Sequence, residues 1–191
     1  PATALPAFTA GAHIDVHLPG GLLRSYSLLN DPRETHRYRI GVNRDAHSRG
    51  GSRFMHEQLR TGAVLSISTP RNLFEMDESS AFNVFIAGGI GITPMLSMIA
   101  RSQTLGTPWR LHYAARTRQH AGFLDLLAAY QGQPGAEVQA VQATGSTNSD
   151  LVRRARETAP SAPWLRCALE QTAGRGRRVA LAGRFWYWGD R

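Results

Sequence analysis

The residues best suited to chemistry in this chain form polar and glycine-rich clusters rather than a set of acids, bases or nucleophiles. The first cluster is Gly88-Gly89-Ile90-Gly91-Ile92-Thr93-Pro94, which follows the apolar run from Phe82 and opens an apolar-periodic segment reaching Ala100. A short run rich in β-branched and aromatic residues reads as a buried strand. Thr93 is a good N-cap, and Pro94 suits the first helical position, where its missing N–H costs nothing. Strand, glycine turn and helix start then aim backbone N–H groups and the positive end of a helix dipole at one point, which suits a phosphate. The simple Rossmann fingerprint is not met, because Pro94 stands where its third glycine would be. An ordinary strand-to-helix turn of an α/β domain also fits these residues.

Two further clusters lie upstream. Arg24-Ser25-Tyr26-Ser27 falls in the middle of a predicted strand, where alternation puts Arg24 and Tyr26 on one face and both serines on the other. A cation for a phosphate, an aromatic to lie against a planar ring and a hydroxyl for a ring heteroatom are what a strand needs to carry a flat cofactor. An amphipathic surface strand fits the segment equally well. The stretch from Gly41 to Ser52 contains Val42, Arg44 and Arg49 and ends in Gly50-Gly51-Ser52, directly before a predicted helix. Glycines let a backbone approach a phosphate, and Ser52 is expected to cap the helix and donate to the anion.

The elements that must position these clusters follow from periodicity. His13–Leu18, Leu22–Leu29, Tyr38–Val42 and Val64–Ser68 read as strands separated by short turns, with one helix over Phe54–Leu59, and together predict a small antiparallel barrel. After Phe82 the pattern changes to strand, helix, strand, helix, with Trp109–Ala115 as the second strand and Phe123–Tyr130 as the second helix. This alternation predicts a parallel sheet with helices on its faces. The boundary falls at the acidic, serine-containing stretch Met76–Ala81. Beyond Gln131 the signal weakens to a strand at Glu137–Val141, a helix at Leu151–Glu157 and a strand at Val179–Ala182. The expected domains are therefore a barrel over residues 1–78, an α/β domain over 79–138, and an atypical tail over 139–191, either frame-shifted or poorly ordered.

Composition narrows the function. At 191 residues the chain has room for one large domain or two small ones. No run approaches the ~18 apolar residues of a membrane span and no signal-peptide pattern opens the chain, so a cytoplasmic protein with no membrane partner is expected. A lone cysteine, Cys167, rules out an internal disulfide and a chain-borne iron–sulfur cluster, which needs about four. The net charge of +8 raises nucleic acid as a partner, but all 22 basic residues are arginine and no groove-reading motif is present. No nucleic-acid partner and no metal site is expected.

Arg24-x-Tyr26-Ser27, Gly50-Gly51-Ser52, Pro70-Arg71-Asn72-Leu73-Phe74 and Gly88-Gly89-Ile90-Gly91-Ile92-Thr93-Pro94 occur in the order and spacing of one family. From about Leu5 to Tyr130 the chain resembles the phthalate dioxygenase reductase-like branch of the ferredoxin–NADP reductase superfamily, which includes the vanillate O-demethylase reductases. The resemblance implies a partial flavin-binding barrel followed by a partial NAD-binding domain, with FMN (FAD as the alternative) and NADH as cofactors. By the same resemblance Arg24 would hold the flavin phosphate, Tyr26 would flank the ring, and Ser27 would approach its reacting edge. Val42, Arg44, Gly50, Gly51 and Ser52 would surround the phosphate. Gly88, Gly89, Gly91, Thr93 and Pro94 would receive the dinucleotide, with Ser27 and Thr93 nearest the chemistry, and Arg116 would meet the ribose or a phosphate. The implied reaction is hydride transfer to the flavin and onward electron transfer to an iron–sulfur acceptor in a Rieske-type oxygenase or a separate ferredoxin. The cofactors carry that chemistry while the protein orients them.

Departures from the family pattern set further expectations. The chain begins inside the family barrel, Cys167 is followed by Ala168-Leu169 instead of Gly-Pro, and the cysteines of a C-terminal [2Fe–2S] domain are missing. A chain truncated at both ends is expected, and with it an alternative function as a non-catalytic flavin-binding module.

Overall fold

A computed structural model of the chain describes residues 4–115, 118–133 and 136–142. Their contacts divide the chain into two compact units, one running to Ser79 and including Thr93–Leu105, the other made of Ser80–Ile92 and the chain from Gly106 onward.

The first unit is built on a three-stranded antiparallel sheet in the order β2-β1-β3, with β1 at His13–Leu18, β2 at Leu22–Ser27 and β3 at Ser66–Ile67. β1 and β2 pair from Leu18↔Leu22 to His13↔Ser27 around a Pro19–Gly21 turn in which both glycines take positive φ. The alternation of β1 turns Ile14, Val16 and Leu18 inward to meet Phe8, Ala12 and Leu28 in a buried apolar cluster. On the other face Asp15 accepts a hydrogen bond from Ser25 Oγ at 2.5 Å and pairs with Arg71.

Three predicted strands are shorter than their sequences suggest, the second of them ending at Ser27 instead of Leu29. Tyr38–Val42 contributes only a single bridge, Leu28↔Ile40. The reason lies in Asn30, whose side-chain amide donates to the Arg37 carbonyl at 3.2 Å and accepts the Arg39 N–H at 2.9 Å, taking the place of ladder bonds. Val64, expected in the fourth strand, is 95% exposed, and pairing begins only at Ser66. The helix α1, Gly51–Glu57, starts three residues before the predicted Phe54.

Gly11 closes the unit tightly. It takes a φ of +94°, and a Cβ there would lie 2.1 Å from the Phe74 carbonyl oxygen and 2.6 Å from Met98 Cε. Its N–H donates to the buried Ser97 Oγ at 3.1 Å, and Ser97 donates in turn to the Pro94 carbonyl at 2.9 Å.

The second unit holds a parallel sheet in the order β4-β5-β6, with β4 at Asn83–Gly88, β5 at Trp109–Ala115 and β6 at Ala136–Gln142. β6 thus runs past residue 138, where the tail was expected to begin. The register runs from Asn83↔Trp109 to Gly88↔Ala114. Phe85, Ala87, Trp109, Leu111 and Tyr113 are buried, and the Trp109 ring meets Tyr130 edge-on at 5.7 Å and Phe85 at 6.2 Å. After β4 the chain makes a 3-10 turn over Gly89–Gly91 and enters α2, Ile92–Leu105, directly. Thr93 and Pro94 therefore lie inside the first helical turn, two positions deeper than the N-cap and first-residue places predicted for them. The helix expected at Phe123–Tyr130 is the shorter α3, Leu124–Ala128.

Arg116, Cys167, Leu151–Glu157 and Val179–Ala182 lie outside the described residues. Among those described, no helix is long and apolar enough to cross a membrane, and no group of three or more His, Cys, Asp or Glu is placed to hold a metal.

Candidate functional site

Strand β2 places Arg24 and Tyr26 on one face, as alternation predicts. The Tyr26 ring packs half-buried against the apolar cluster, and burial pushes its phenol up from the ordinary value while nearby Arg24 opposes the shift. Arg24 runs over the start of α1, where an added Cβ on Gly51 would lie 2.7 Å from its Nε and 3.0 Å from its Cγ. Only glycine at position 51 leaves that path open without displacing the arginine. Two clusters widely separated in sequence therefore converge: the cation of β2 and the glycine-serine helix start. Ser27 ends the strand half-buried, and its Oγ is hydrogen-bonded to no described residue.

The local capping differs from the prediction. Gly50 is the N-cap, with a φ of +101° that its lack of a Cβ permits. Ser48, which the sequence did not single out, does the capping: its Oγ accepts the Gly50 N–H at 3.2 Å and the Arg53 N–H at 3.3 Å. Ser52 Oγ instead accepts the Asp45 N–H at 3.3 Å. With the Phe54 N–H bonded to the Gly50 carbonyl, the N–H groups of Gly51 and Ser52 find no acceptor among the described residues. Arg44 is turned to α1 and pairs with Glu57 at 2.8 Å, and the Val42 carbonyl meets His56 Nε2 at 2.9 Å. These two residues brace the loop against its helix. His56 takes part in that brace.

In the second unit the glycine turn follows the carboxyl end of β4, and ligands of open α/β sheets bind at that edge. Gly88 is the last strand residue, and Gly89 adopts a positive φ of +41°. Nothing lies within 4 Å of where a Gly91 Cβ would be, so the backbone there is open to close approach by a bulky group. The Ile92 N–H folds back onto the carbonyls of Gly89 and Ile90. Thr93 and Pro94, next in the chain, belong to the first unit; Thr93 is buried, and Pro94 contributes the carbonyl that Ser97 engages.

Sequence reasoning missed Tyr113. Its hydroxyl lies 3.2 Å from the Gly89 carbonyl oxygen and 3.2 Å from that of Gly122, two residues before the end of β5. Burial pushes its phenol up to about 12, with the Gly122 contact opposing. The available signal was a polar atom on a strand residue whose neighbours alternate into the core.

Comparison with known proteins fits both units. No protein-family model matches the chain. Over 149 residues it is 52% identical to the phenoxybenzoate dioxygenase subunit beta of Ectopseudomonas oleovorans, covering 73% of this chain and 47% of that protein. The vanillate O-demethylase oxidoreductase of Pseudomonas putida is 44% identical over 158 residues, which cover 78% of this chain and 50% of the relative. Among solved structures, phthalate dioxygenase reductase superposes with a TM-score of 0.65 at 30% identity, covering 91% of this chain and 62% of its own. The chain spans about half the length of the curated relatives it matches. With the likeness running through both units, the chain belongs to the phthalate dioxygenase reductase and vanillate O-demethylase oxidoreductase family of the ferredoxin–NADP reductase superfamily.

Proposed function

We propose that this chain passes electrons from NADH through a bound FMN to the iron–sulfur centre of an oxygenase system, of Rieske type or served by a separate ferredoxin. The observation that carries the reading is the convergence of Arg24 with the Gly50-Gly51-Ser52 helix start. A guanidinium beside two backbone N–H groups that lack acceptors fits a flavin phosphate, because each such group is costly to leave unpaired once water is excluded. Tyr26 offers an aromatic face two residues along the same strand. Ser27, with an uncommitted hydroxyl, is available to donate to the flavin edge.

The residues of the second glycine turn and of the helix start that follows it fit a dinucleotide by a different test. Gly91 has no neighbour where a side chain would stand, and Gly89 holds a conformation that favours glycine. Gly88, Gly89 and Gly91 are assigned to the pyrophosphate, and Thr93 and Pro94 to the wall of the nicotinamide pocket. Arg116 is assigned to the ribose or a phosphate. The bound cofactors supply hydride acceptance and one-electron donation, and the protein supplies orientation and a dry surface. Support for the acceptor comes from relatives named as components of dioxygenase and monooxygenase systems. Phthalate dioxygenase reductase, described as a modular structure for electron transfer from pyridine nucleotides to [2Fe–2S], adds to it. A cytoplasmic setting, where NADH is available, follows from this reading.

The test is anaerobic addition of NADH to the FMN-reconstituted chain. Bleaching of the flavin absorption is expected. A yellow protein that NADH leaves yellow contradicts the enzymatic reading and supports a flavin-binding module without hydride transfer.

A further inference from the structure

Tyr113 is 2% exposed, yet its one polar atom sits at hydrogen-bonding distance from two carbonyls in two different turns. The turns are the Gly89–Gly91 segment that leaves β4 and the Gly122–Phe123 segment that leads into α3. A phenol has one proton, so it donates to one carbonyl at a time, and 3.2 Å is long for an O–H···O bond. The second turn is itself held in an unusual state. Phe123, at a φ of +63°, is the non-glycine residue with positive φ among those described, a conformation that persists where surrounding structure enforces it.

The first turn shows what the pin achieves. Peptide planarity points the N–H of the Gly89–Ile90 unit away from whatever its carbonyl faces. Holding the Gly89 oxygen toward Tyr113 therefore fixes the orientation of the whole peptide. Gly89 has no side chain to resist rotation, and Gly91 beyond it opens onto free space. The register Ala87↔Tyr113 makes this possible: the residue opposite the penultimate position of β4 reaches just past the strand end.

We infer that Tyr113 is a positioning residue for dinucleotide binding, its shared hydroxyl proton locking the glycine turn and coupling it to the turn at Gly122–Phe123. The inference rests on the dinucleotide reading above and goes beyond it by assigning the residue that preorganises the turn. With the hydroxyl gone, the Gly89 carbonyl is held by the Ile92 N–H without the phenol, so the peptide is less firmly fixed and more of the binding conformation must be ordered on arrival of the ligand. The high phenol pKa, about 12, keeps the proton in place throughout the range in which such proteins are assayed.

The experiment uses calorimetric titration of the purified full chain with NAD+, beside FMN titration of the same samples. Tyr113→Phe is expected to weaken NAD+ binding about tenfold while FMN affinity is unchanged. Phe85→Leu, which loosens the same sheet without touching the pin, is expected to leave both affinities unchanged at a temperature where it is folded. Equal NAD+ affinity in Tyr113→Phe and the unmutated chain overturns the role of Tyr113 and leaves the dinucleotide reading standing. Absence of NAD+ binding by the unmutated chain overturns both. Amide hydrogen exchange on the unmutated chain gives a readout that needs no variant. NAD+ is expected to slow exchange at Gly89–Gly91 and also at Gly122–Leu124, and protection confined to the first turn overturns the coupling.

Discussion

The antiparallel and parallel regions each present a glycine turn, but they hold it by different means. Around Gly50-Gly51 the work is done by polar side chains at the surface: Ser48 caps, Arg44 and His56 brace the loop, and the Arg24 stem lies across Gly51. Around Gly89-Gly91 it is done from inside, by a phenol buried in the sheet and by the backbone of the first turn of α2. The contrast teaches that one turn can be altered without disturbing its core, whereas the other shares residues with its core.

The largest effect expected from this contrast is on the stability of the parallel region. Trp109→Ala removes a side chain 1% exposed that contacts both Phe85 and Tyr130, and should cost about 3–5 kcal/mol in chemical denaturation. A loss below ~1 kcal/mol would break the view that this region has an aromatic core of its own. In the antiparallel region Gly11→Ala forces a Cβ within 2.1 Å of the Phe74 carbonyl oxygen at a φ of +94°. Strain and overpacking together should cost about 3 kcal/mol, read as a lowered denaturation midpoint.

Effects on the surface-held turn should be functional rather than structural. Arg24→Gln is expected to lower FMN affinity about tenfold or more with little change in stability, because a charge-assisted contact is lost from a half-buried strand position. Isothermal titration checks it, and unchanged affinity would remove Arg24 from the phosphate site.

A pH dependence sharpens the comparison further. The Ser25 hydroxyl, aided by Arg71, His13 and His17, holds the Asp15 carboxyl below its ordinary 3.8, although burial opposes the shift. A carboxyl depressed in the folded state adds stability above its unfolded pKa and loses it as pH falls through the folded one. The native chain should therefore lose this contribution below about pH 4, and Asp15→Asn should flatten the acid limb of the stability curve. Acid limbs that superimpose would contradict it. The smallest effect belongs to Arg44→Ala, which removes an exposed ion pair and should change stability by less than ~0.5 kcal/mol.

How much of this was legible in the sequence depended on whether a signal was local. β1 and β5 lie where alternation and apolar runs put them, at His13–Leu18 and Trp109–Ala115. Arg24 and Tyr26 share a face because strand periodicity dictates it. Tyr38–Val42 reads as a strand but is not one, because a side-chain amide at Asn30 supplies the hydrogen bonds that a neighbouring strand would. Ser48 could not be separated from Ser52 as the cap, since the turn at Gly50, with its positive φ, sets which hydroxyl reaches the Gly50 and Arg53 N–H groups. The pin from Tyr113 to Gly89 depends on the parallel register between strands whose order in space is not written in either one.

The central claim is that the antiparallel cradle holds a flavin and that NADH reduces it. Recording the absorption spectrum of the purified chain through an FMN titration, and then through an anaerobic NADH titration, tests that claim directly. Saturable uptake of FMN followed by loss of its visible absorption is the predicted result. A polypeptide that stays colourless and takes up no added flavin would contradict it.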